Sequence, residues 1–150
     1  MYSYTEEVSN KLNGLLEKNY DAAKGYKTAA ENVNSETLTN LFVRKANERE
    51  MFGKQLKSEI KSFGQSPEKG GSLKGTAHRA WMNTKAFFSN ESEEAILEEA
   101  LRGEKASLEE YNEVINSEEH LPNSTTNLLK SQRDIILNDA ILVKELEKIK

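Results

Sequence analysis

The sequence predicts an all-α protein: an antiparallel four-helix bundle with a long central crossover carrying a short extra helix. Three observations lead there. Four long stretches repeat apolar residues at alternating steps of three and four, the period of one helix face. Four of the eight glycines and one of the two prolines fall in a single connection, residues 64–75. The composition, 36% apolar and 31% charged, suits a helix-rich globular chain rather than a disordered one. At 150 residues the chain fits one domain, 1–150, with length enough to bury a core.

The first helix is expected over about 4–33. Ser3-Tyr4-Thr5-Glu6 is a capping-box pattern. Val8, Leu12, Leu15, Ala22, Tyr26, Ala29 and Val33 then form its apolar stripe, and Asn19 fills the slot between Leu15 and Ala22. Gly14 and Gly25 lie inside it at a cost of about 1 kcal/mol each against Ala, and read as points of close helix contact. Asn34 and Ser35 leave room only for a tight return. The second helix, 35–63, carries Leu38, Phe42, Phe52, Leu56, Ile60 and Phe63. Phe42, Leu56 and Phe63 share one seven-residue spacing whose missing member is Arg49, and Gly64 reads as the C′ stop.

Residues 64–75 form the crossover. A short helix follows over 76–88 with Ala77, Ala80, Trp81, Thr84 and Phe88 on one face, and Ser89 to Ser92 break it. The third long helix, 92–117, has the stripe Leu97, Leu101, Leu108, Tyr111 and Ile115 around Glu104. Glu93 and Glu94 suit the positive end of its dipole. His120 to Ser124 stop and restart the chain. The fourth helix, 124–149, places Leu128, Ile135, Leu142, Leu146 and Ile149 on its stripe, with Gln132 and Asp139 in two of the slots.

Each stripe is thus interrupted by polar residues at mid-height: Asn19, Arg49, Glu104, Asp139 and Gln132 are expected to form a central polar layer. On these positions the chain resembles the ferritin superfamily, rubrerythrin-like proteins in particular. Those proteins have a metal-binding Glu seven residues before a Tyr on the first helix, as Asn19 stands before Tyr26 here. Their second helix reads Leu-Phe and then Glu-x-x-His; here Leu41-Phe42 leads to Arg49-Glu50-Met51-Phe52. Glu104 and Asp139 match the carboxylates of the third and fourth helices. Over nearly its full length the chain is more closely similar to a bacterial ferritin-like family of unassigned function. Asn19 to Tyr26, Gly71 to Trp81 and Glu94 to Glu99 carry that likeness. The resemblance implies a ferritin-like fold with degenerate metal ligands.

A di-iron centre needs about four carboxylates and usually two histidines facing inward. Arg49 and Phe52 occupy two ligand slots and cannot bind iron. His78 and His120, the two histidines of the chain, lie in or beside connections. No metal and no cofactor are expected. Two buried anions without partners would each cost several kcal/mol or take up a proton. Arg49, always charged and shaped to fit carboxylates, is therefore expected to replace the metal as counter-charge, with Asn19 and Gln132 completing the hydrogen bonds. The rival arrangement turns Glu48 inward and Arg49 out. Tyr20, Tyr26 and Tyr111 either surround a small ligand near this layer or sit in the core with hydroxyl partners.

A second candidate is the segment His78-Arg79-Ala80-Trp81, flanked by Lys74 and Lys85, which reads either as an interaction surface or as a lid packed over the bundle end. The net charge of −4 and the lack of basic tails argue against nucleic acid as a partner. No apolar run approaches the ~20 residues a membrane span requires, and no signal pattern opens the chain, so a cytoplasmic setting is expected. Without cysteine, disulfides, thiol catalysis and Cys-ligated metals are excluded. No catalytic triad, phosphate loop or nucleotide fingerprint is present.

Two function classes follow. The first is a non-catalytic bundle acting as a homodimer or with a protein partner. Its motive is the surplus of apolar residues on the fourth helix: Ile135, Ile136, Leu137, Ala140, Ile141, Leu142 and Val143 cover more than one face. The second is a metal-dependent oxidase or storage protein of ferritin or rubrerythrin type. The first fits the ligand identities better.

Overall fold

The computed structural model describes residues 4–67, 92–117 and 120–149. Among them every regular element is helical: α1 (Tyr4–Glu31), α2 (Glu36–Ser62), α3 (Glu93–Ile115) and α4 (Asn123–Ile149). The short helix expected over 76–88, with His78, Arg79 and Trp81, lies outside the described residues.

The chemistry of the helix ends explains where they stop. Ser35 and Ser92 cap α2 and α3, their hydroxyls accepting from the backbone N–H of Leu38 and Ala95 at 3.3 and 3.1 Å. Gly64 takes φ +73°, open to glycine at no steric cost, just past the end of α2. There the N–H of Gly64 donates to the carbonyl of Lys61 and that of Gln65 to Ile60, a Schellman closure. The turn between α1 and α2 is fixed from outside as well. The Glu93 carboxylate, in the first turn of α3, accepts from the backbone N–H of Asn34 and Ser35 at 2.8 and 2.9 Å.

α1 packs along α2, α3 along α4, and α1 also touches α3. Side chains of α2 meet α4 through Gln132 and Asp139. The helices therefore surround one core in the cyclic order α1, α2, α4, α3. That core has two apolar halves. One gathers Ala22, Tyr26, Ala29, Leu38, Phe42, Ile96, Leu97 and Val143. The other gathers Val8, Leu12, Leu16, Phe52, Leu56, Ile60, Leu129 and Ile136.

Two sequence expectations need correction. α4 buries Leu129, Ile136 and Val143, whereas Leu142 is 40% exposed and Leu128 and Ile135 are only partly buried. Counting from Gln132 and Asp139, the residues four positions on face inward and those three positions on lie at the edge. A helix of 3.6 residues per turn allows either set, and packing selects one. Among the described residues Gly14 is not a point of close contact: a Cβ there would meet none of their atoms within 4 Å. Gly53 is one, since its Cβ would stand 3.1 Å from the Tyr20 ring.

Candidate functional site

Between the two apolar halves lies a layer of buried polar side chains. α1 supplies Asn19 and, from the edge of one apolar half, the Tyr26 hydroxyl. α2 supplies Lys45 and Arg49, α3 Glu104, Ser107 and Tyr111, and α4 Gln132 and Asp139; all are buried. Each set repeats at three, four or seven residues, which puts its members on one helix face. Arg49 and Lys45 rank among the largest fully buried side chains among the described residues.

Arg49 crosses the core. Its Nη1 donates to Asn19 Oδ1 at 2.9 Å, and its Nη2 donates to Glu104 Oε1 at 3.0 Å and to Ser107 Oγ at 3.1 Å. Tyr26 donates its hydroxyl to the same Glu104 oxygen. Lys45 reaches the other side of the carboxylates, with Nζ 3.2 Å from Glu104 Oε2 and 3.4 Å from Asp139 Oδ2. None of these three atoms has a hydrogen bond of good geometry among the described residues. At those separations they attract as charges, and the contact is an ion-pair cluster rather than a bonded one. The ammonium also lies 4.7 Å from the centre of the Tyr26 ring.

Away from the charges the layer continues as a neutral chain. Asn19 Nδ2 donates to the Tyr111 hydroxyl at 2.9 Å, and Tyr111 donates to Gln132 Oε1 at 2.6 Å. Gln132 Nε2 then donates to the Phe52 carbonyl and to Gln55 Oε1. At the opposite rim Arg44 pairs with Asp139 and Glu48, each at 3.2 Å. One polar network thus runs from Gln55 on one flank of α2, through the core, to Arg44.

The electrostatics keep the network charged where it must be. Burial works against the charge on Arg49, but the Glu104 carboxylate more than offsets it, and its pKa rises. Burial, reinforced by Glu104, holds Tyr26 well above its ordinary value, and burial pushes Tyr111 up to about 12. Asp139 moves the other way: burial opposes its ionisation, yet a hydrogen bond from Glu48 and the charges of Lys45 and Arg44 hold it below the usual carboxylate range. Glu48 absorbs the difference. Burial first, then its closeness to the Asp139 carboxylate, lifts its carboxyl to about 8. Lys45 and Arg49 thus face Glu104 and Asp139 inside the layer, with Arg44 and Glu48 at its rim.

These facts decide what the layer can do chemically. A divalent ion seated between Glu104 and Asp139 would have to displace Lys45 and stand against Arg49. No group of three or more Asp, Glu or His suited to a metal occurs among the described residues. The donor set does not fit a carboxylate-bridged metal pair.

Asn19, Arg49, Glu104, Gln132 and Asp139 are all brought to this layer, Tyr26 and Tyr111 with them. Tyr20 is not, and Arg49 points in while Glu48 stays at the rim. Sequence reasoning missed Lys45 and Ser107. Lys45 had a signal, since it lies three residues after Phe42 and four before Arg49 on the same stripe. Residues 7–117 match a family described as a domain of unknown function, DUF2383. No curated protein matches the chain.

Proposed function

We propose that this chain, which belongs to the DUF2383 family, is a ferritin-like antiparallel four-helix bundle that acts by association rather than by metal chemistry. Its centre keeps the carboxylates of a ferritin-type site and replaces the metal with Arg49 and Lys45. The layer is a structural device: partnered charges buried at one height fix the register of four helices that apolar stripes alone would leave free to slide.

The observation that carries the association reading is on α4. Leu137 and Ile141 stand one turn apart, 45% and 55% exposed, and Leu142 beside them is 40% exposed. Three large apolar residues on the outside of a helix whose inner face is already filled mark an interaction surface. A second copy of the chain is the occupant proposed, since a shared two-fold axis lets one patch cover itself. The zero cysteine count suits a reducing, cytoplasmic setting. Light scattering on a size-exclusion column is the test. A dimer at micromolar concentration that Leu137→Glu with Ile141→Glu converts to a folded monomer supports the reading. A strict monomer overturns it.

A further inference from the structure

On the outer side of α1 and α2, away from the charged layer, lies a groove of about 460 Å³ lined by Tyr20, Ala23, Lys24, Lys27, Glu50, Lys54 and Lys57. We propose that this groove is a binding site for a small, multiply charged oxyanion of the phosphate or pyrophosphate class.

The groove is strongly basic. Four lysines and one glutamate line the groove, a local excess of three positive charges on a chain whose net charge is −4. The glutamate is occupied, since Glu50 pairs with Lys27. The ammonium groups of Lys24 and Lys54 have no ion pair or hydrogen bond among the described residues. Lys24 and Lys27 lie three apart on α1, as do Lys54 and Lys57 on α2, so like charges are neighbours on both walls. Such spacing is unfavourable on a bare helix and is relieved by an anion between the walls.

The floor of the groove is built. The Tyr20 ring packs against the backbone of α2 at Gly53, where even a methyl group would come within 3.1 Å. Lys57 holds its ammonium 5.0 Å from the centre of that ring. The Tyr20 hydroxyl is buried without a hydrogen-bond partner among the described residues. A buried hydroxyl left unpaired is costly, and an oxyanion is the acceptor its proton lacks. The ligand would thus be gripped by ammonium groups from both helices and by one phenol. Point-charge donors of this kind suit phosphate oxygens without demanding one orientation.

Isothermal titration with sodium pyrophosphate, paired with backbone amide NMR shifts, tests the site. Saturable binding is expected, with shifts concentrated in residues 20–27 and 50–57. Lys24→Gln with Lys54→Gln should weaken binding by about tenfold or more, because two charge-assisted contacts go. Tyr20→Phe, which keeps the ring on Gly53, should weaken it by a few-fold. Lys105→Gln with Lys130→Gln, exposed on α3 and α4, should leave it unchanged. Amide spectra establish that each variant is folded. Absence of saturable shifts at millimolar pyrophosphate overturns the proposal. So does equal weakening by the α3 and α4 control, which would mark only a diffuse charge effect.

Discussion

Arg49 is the residue on which the centre depends. Truncating it would leave Glu104 buried opposite one cation instead of two, with Asn19 and Ser107 short of a donor. Breaking a buried pair from one side costs about 3–5 kcal/mol, while removing both charges together costs far less. Urea denaturation should therefore find Arg49→Met severely destabilised and Arg49→Met with Glu104→Gln closer to wild type. Additive losses would mean that the two side chains do not interact. Glu48 gives the layer a pH dependence. Its pKa rises from the ordinary carboxyl range to about 8 on folding, so between those values the folded chain keeps a proton that the unfolded chain has released. Stability on this account falls as pH rises from about 4.5 toward 8. Asp139, depressed on folding, adds a loss at the acid end, as pH falls through its folded pKa. Glu48→Gln, which still offers a donor to Asp139, should flatten the neutral slope and leave the acid limb. An unchanged slope between pH 5.5 and 7.5 would remove Glu48 from the account; these limits bracket roughly the middle of its titration window. The five polar interruptions were legible because a polar residue in an apolar stripe is conspicuous. Lys45 shares the Arg49 stripe yet went unread, because a lysine beside Ala46 reads as surface until the ion pairs are seen.

At the scale of helices, the ends and the period were readable, since capping serines and a C′ glycine act through local backbone chemistry. Facing was harder. On α4 the sequence offers Leu128, Ile135 and Leu142 or, one position along, Leu129, Ile136 and Val143. The stripe alone cannot choose, because both sets are apolar and the choice depends on neighbouring helices. Glycine carries the same lesson. Gly14 sits inside α1 where a Cβ would meet none of the described residues, while Gly53 on α2 seats the Tyr20 ring. Gly14→Ala should raise stability by about 0.5–1 kcal/mol, through helix propensity and a less flexible unfolded chain. Gly53→Ala gains the same propensity and loses the ring contact, so it should melt below Gly14→Ala. Thermal unfolding by circular dichroism compares the two directly. The reverse order of melting temperatures would contradict the packing described at Tyr20.

At the scale of the whole molecule, the described helices enclose a core split by a charged layer, with an apolar outer strip on α4 and a lysine groove on α1 and α2. No described helix is long and apolar enough to cross a membrane. Function was the least legible level. The polar slots marked the height of the layer, and only the side-chain contacts show Lys45 and Arg49 set against Glu104 and Asp139 there. The proposal that cations of the chain's own stand where a metal pair would be is the claim on which the rest depends. Its most direct test is elemental analysis of protein purified without chelator and then offered ferrous iron or manganese. The account predicts well under one metal per chain, and no thermal stabilisation by the added ions. About two metals per chain, the content of a ferritin-type carboxylate centre, would contradict it.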